Sequence, residues 1–169
     1  MSQSNDFGEV KGQFLTTTRI ITFALIAGLV FFGVIAFVIG SDKQPGDPLV
    51  AYMAGGFGIF SIVLQAVVPP MVVASTRDQQ LKPSIREGRL EPSQATEKLC
   101  ALFQTKQIIR NALLEGAGFF CLVAYIISVQ WWLYGIVCVL IALMIFTLPT
   151  RGGLDHWIDD QMQLLELSS

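Results

Sequence analysis

Apolar residues in this chain come as four long runs, at positions 20–40, 50–74, 108–128 and 131–149. None alternates with a period of two, and each is continuous enough to be a helix rather than a strand of a membrane barrel. Together the runs hold 86 residues and two charged side chains, Arg110 and Glu115. The other 83 residues carry 22 charges, an ordinary density for protein in water. A helix of about 20 residues crosses a ~30 Å hydrocarbon layer, so each run is expected to cross a membrane. An integral membrane protein follows, and a soluble enzyme with a water-excluded core is excluded.

The flanks predict orientation. Lys11, Arg19, Arg77, Lys82, Arg86, Arg89, Lys98, Lys106, Arg110 and Arg151 fall on one side of the expected membrane, and Lys43 alone on the other. The positive-inside rule then puts both termini and the middle segment in the cytoplasm, in an inner (plasma) membrane. The first 18 residues are polar and include Asp6 and Glu9, unlike a signal peptide, so the first run is expected to remain as an anchor. The predicted division is 1–19 cytoplasmic tail, 20–74 first hairpin, 75–107 cytoplasmic segment, 108–149 second hairpin and 150–169 cytoplasmic tail.

Sliding the sequence by 88 positions lays the third run on the first. Ile20/Ile108, Ile21/Ile109, Ala24/Ala112, Leu25/Leu113, Gly28/Gly116, Phe31/Phe119, Phe32/Phe120, Ala36/Ala124 and Ile39/Ile127 are identical pairs, and Thr17/Thr105 extends the match. The second and fourth runs share chiefly Gly58-Ile59 with Gly135-Ile136. The fold expected is therefore all-α: a four-helix transmembrane bundle built from two related hairpins, repeated in parallel about an axis normal to the membrane. Trp131, Trp132 and Tyr134 sit where amphipathic rings favour the outer interface.

Outside the runs, Pro83 and the Gly88 region punctuate the middle segment, and Pro92 suits the first position of a helix. Ala95, Leu99, Leu102 and Phe103 follow at helical spacing, so the third helix is predicted to begin well before the membrane. Leu154, Trp157, Ile158, Met162 and Leu165 make one stripe of an amphipathic C-terminal helix whose other side carries Asp155, Asp159 and Asp160. That acidic side gains nothing from anionic lipid, and packing on protein is the expectation.

Candidate chemistry is sparse. Cys100, Cys121 and Cys138 have no C-x-x-C spacing and read as buried reduced thiols. His156 is the single histidine, so neither a metal site with Asp155 and Asp159 nor a nucleophile triad can be built well around it. The Gly55-Gly56-Phe57-Gly58 cluster lies inside a span and lacks the lysine of a phosphate-binding loop. A net charge of −2 without a basic stripe excludes a nucleic-acid binder. No catalytic residue, cofactor or metal is predicted, and the chain reads as non-enzymatic.

Glu115 is the ionisable residue deepest in a span, three positions before the centre of run three. Gln65 lies three positions past the centre of run two, which runs the other way. At ~1.5 Å per residue both fall about 4.5 Å from the midplane, and a Gln65–Glu115 hydrogen bond is the expectation. Asn111, one turn before Glu115, is a possible additional partner. A lone acid in lipid favours its neutral form, and Arg110 is expected to reach for the headgroups.

The stretch Ala112-Leu-Leu-Glu-Gly-Ala-Gly-Phe-Phe-Cys-Leu-Val-Ala-Tyr125 resembles the ion-carrying helix of rotary ATPase proteolipid (c) subunits. In that family a carboxylate follows an Ala-Leu pair and precedes small residues and a Leu-Val run. The resemblance implies that Glu115 could carry H⁺ or Na⁺. It covers 14 residues, and the long charged segment between runs two and three departs from the family's short polar loop. Over its whole length the chain looks like a bacterial four-span membrane protein, a likeness that carries no activity. The reading from sequence is a structural or accessory subunit, embedded in lipid and associating with itself or a membrane complex. An ion-translocating subunit using Glu115 is the alternative.

Overall fold

The structure is a computed structural model that describes residues 3–81, 83 and 92–166. Lys82, Arg86, Gly88 and Arg89 lie outside the described residues, as do the side chains of Ala95 and Leu165. All described elements are helical: α1 (Gln3–Ser41), α2 (Leu49–Thr76) followed by a π-helical turn (Arg77–Leu81), α3 (Pro92–Ser128), α4 (Trp132–Phe146) and α5 (Arg151–Glu166).

α1, α2 and α3 are each long and apolar enough to cross a membrane. The fourth run differs from expectation. Its helix has 15 residues, roughly 22 Å at ~1.5 Å per residue, and a fourth span exists only if α4 and α5 are one broken span. The break has a local cause. Thr147 closes α4 with its N–H on the Leu143 carbonyl, and Pro149 has no N–H with which to continue a helix. Thr150 then starts α5 as its cap, its hydroxyl accepting the Gly153 N–H at 3.2 Å.

The chain packs as two compact units. One comprises Met1–Ile20, Val68–Ile108 and Pro149–Ser169. Its core is Leu15 of α1, Leu99, Cys100 and Phe103 of α3, and Leu154 and Ile158 of α5, flanked by Phe14, Leu102, Trp157 and Met162. The polar start of the chain is thus a helix with a buried face, continuous with the first span. Lys11 pairs with Asp155 at 2.7 Å. Arg19 donates from Nε and Nη2 to the Pro149 carbonyl at 3.0 and 2.9 Å, filling an acceptor that the helix break leaves open.

The other unit comprises Ile21–Val67 and Ile109–Leu148. Here α3 is the central element. Half of its most apolar stretch is buried, against 28% for α2 and 17% for α1. Leu122, Ala124 and Tyr125 of α3 are enclosed by Leu29 and Ala36 of α1, Ala51 and Ala54 of α2, and Leu133 and Val137 of α4. The outward positions, among them Phe31, Val38, Met53, Ile59 and Phe146, remain exposed and apolar, a surface suited to lipid rather than water.

At the far end of α3 the 42–48 loop satisfies carbonyls that a helix terminus leaves open. Lys43 Nζ donates to the Ile126 carbonyl and the Gly46 N–H to that of Ser128. Val129 turns the chain into α4 with φ of 53°, a left-handed conformation unusual for a β-branched residue. Beside it Tyr125 stacks edge-on to Tyr134 and Trp131. Tyr134 donates its hydroxyl to the Gly33 carbonyl at 2.8 Å, but the buried Tyr125 hydroxyl has no partner among the described residues. An unsatisfied buried hydroxyl costs about 1–3 kcal/mol. Tyr125→Phe is therefore expected to raise the melting temperature in detergent, where loss of a needed bond would lower it.

Candidate functional site

Polar side chains from three helices enter the apolar unit. α1 supplies Thr22, α2 Gln65, and α3 Arg110, Asn111 and Glu115. Gln65 is 6% exposed, Asn111 3% and Thr22 1%, so each needs a protein partner.

The structure brings them together in two pairs. Arg110 Nε donates to Gln65 Oε1 at 3.1 Å. Asn111 Nδ2 donates to Thr22 Oγ1 at 2.8 Å, while its Oδ1 is buried without a partner among the described residues. The amide expected opposite Glu115 is thus bonded to Arg110, and Glu115 is half-buried with no hydrogen bond among the described residues. Its Oε1 lies 4.0 Å from where a Cβ at Gly28 would be, so it sits against α1.

Helix rotation explains this division. Asn111 and Glu115 are four apart and share a face, and that face meets Thr22 and Gly28 of α1. Arg110 and Glu115 are five apart, or about 140° around the helix at ~3.6 residues per turn. A side chain of α2 that meets one is turned away from the other. Matching depths along the membrane normal left this angle out. The long guanidinium stem also bridges depth that a short side chain cannot. Thr22 was visible only as the one strongly polar member of its run. Ser61, buried with a hydroxyl that has no partner among the described residues, has no distinguishing signal in the sequence.

Elsewhere, no group of three or more His, Cys, Asp or Glu side chains among the described residues could hold a metal ion. His156 lies 3.7 Å from Asp160 on the exposed side of α5. Cys100 and Cys121 are buried free thiols, and Cys138 is an exposed one. No protein family, curated protein or solved structure matches the chain.

Proposed function

We propose that this chain is a non-enzymatic membrane subunit that works by association, with a second copy of itself or with a membrane complex. The observation that carries this reading is Glu115, an acid inside an apolar span, half-buried against α1 and without a hydrogen-bond partner among the described residues. Acids at that depth are costly and are ordinarily paired or turned to protein interior. A neighbouring transmembrane surface would complete its burial.

In the same proposal the fold is a bundle of two related hairpins with both termini cytoplasmic. The α1–α3 contacts support the duplication. Thr22 meets Asn111, Leu29 meets Gly118, Phe32 meets Phe119 and Gly33 meets Leu122. Each pair is within one position of the 88-residue offset at which the two helices match in sequence. Equivalent positions facing one another is what a parallel pseudo-twofold repeat produces.

The test is energy transfer between labelled copies in liposomes at decreasing protein-to-lipid ratio. Self-association is expected, with Glu115→Gln near wild type. Glu115→Leu should weaken it about 3- to 20-fold, the range of ~0.6–1.7 kcal/mol measured for interhelical bonds in lipid. A wild type that is monomeric at every ratio overturns self-association. Proton exchange at Glu115 is the second reading, favoured by the engagement of Arg110 with Gln65, which leaves the acid without an ion pair among the described residues. A pH gradient that decays faster across wild-type than across Glu115→Gln proteoliposomes would replace the first reading with the second.

A further inference from the structure

Within the unit formed by the polar ends of the helices is a cavity of about 130 Å³. Its apolar side is Pro70 and Val73, at the end of the second apolar run. Its polar side is Arg77, Lys106, Trp157 and Gln161. Among the described residues that line it, Arg77 and Lys106 are the charged ones. The volume is well short of the ~300 Å³ at which pockets for drug-sized ligands begin, and suits a group the size of phosphate.

The lining is built rather than incidental. Arg77 is largely buried, with Nε on Asp78 at 3.2 Å and Nη1 on Gln161 Oε1 at 3.2 Å. Those two bonds fix the guanidinium plane and use two of its five N–H donors. Lys106 Nζ lies 5.7 Å from the centre of the Trp157 ring, a cation held at an aromatic face. Trp157 in turn packs on Phe103. Asp155 and Asp159 of α5 stand two positions either side of Trp157, about 160° away at ~100° per residue, and Asp155 is already paired with Lys11. Asp78 is exposed and offsets part of the Arg77 charge.

We infer that this cavity binds the phosphate of an anionic phospholipid, with Arg77 and Lys106 holding the headgroup and Pro70 and Val73 receiving the start of an acyl chain. Cations and an apolar wall lining one cavity match an amphiphile. A basic pocket between helices at the membrane boundary, on the side to which the Lys/Arg asymmetry assigns the cytoplasm, matches a lipid phosphate of the inner leaflet. The site is independent of Glu115 and of any association through it.

The experiment is thermal unfolding of the full chain in detergent with dioleoyl phosphatidylglycerol, dioleoyl phosphatidylcholine or inorganic phosphate. Ligand that binds the folded state raises the melting temperature by mass action. A rise is expected with phosphatidylglycerol only. Lys106→Gln should raise the half-saturating lipid fraction about fivefold, the worth of one cation near an anionic surface, and Arg77→Gln at least as much. Lys98→Gln, an exposed lysine of the same unit outside the cavity, should leave it unchanged. Should Arg77→Gln fail to fold, Lys106→Gln against Lys98→Gln decides alone. Equal shifts from both lipids, equal losses in Lys98→Gln and Lys106→Gln, or a shift reproduced by inorganic phosphate would each overturn the assignment.

Discussion

Gln65→Leu is expected to destabilise the protein by about 1.5–3 kcal/mol, the range for a hydrogen bond to a charged group. The loss arises because Arg110 Nε then has no acceptor inside an apolar unit. The matching change Arg110→Leu leaves Gln65 as a buried amide without its donor, a neutral group, and should cost less. Removing both partners should recover much of the loss, since two apolar side chains of suitable shape can replace a polar pair almost without penalty. The Gln65→Leu/Arg110→Leu cycle therefore measures the coupling directly. Equilibrium unfolding in mixed micelles is the readout. Recovery in Gln65→Leu/Glu115→Leu, in place of Gln65→Leu/Arg110→Leu, would move the pairing to Glu115. An unchanged stability in Gln65→Leu would remove the polar pair from the account altogether.

The contrast between those two cycles marks where sequence reasoning stops. That the chain forms helices long and apolar enough to span a membrane follows from solvent: in lipid every backbone N–H and C=O must be satisfied within its own segment, so long apolar runs are helices. Runs one to three are such helices. Run four is equally apolar, yet α4 is short, because Pro149 and the Thr150 cap end one helix and begin another. Hydropathy windows average over that break. The polar residues before Ile20 are helical because Phe14 and Leu15 find Leu99, Phe103 and Leu154, distant partners that no local pattern reveals. Side-chain pairing was the least legible layer. Depth in the membrane can be counted in residues, but rotation between helices is fixed by packing. Here packing sends Asn111 and Glu115 to α1 and Arg110 to α2.

That packing depends on close approach at one residue, and Gly118→Leu is expected to have the largest effect of any change considered. A Cβ at Gly118 would stand 2.7 and 2.8 Å from the two terminal methyls of Leu29. Leu29 is fully enclosed, so it has no room to yield, and α1 would have to move off α3. Overpacking of this kind costs about 1–3 kcal/mol for a small addition and more for a large one. Gly118→Ala should already lower stability by that amount, and Gly118→Leu should leave little folded protein. Gly116 provides the control on the same helix. Nothing lies within 4 Å of a Cβ there, so Gly116→Ala should gain about 0.5–1 kcal/mol from helix propensity alone. Opposite signs two residues apart would show that α1 and α3 meet on the Gly118 face. Equal melting temperatures for Gly116→Ala and Gly118→Ala would mean that Leu29 does not sit over Gly118. The α1 face against which Glu115 rests would then have to be sought elsewhere.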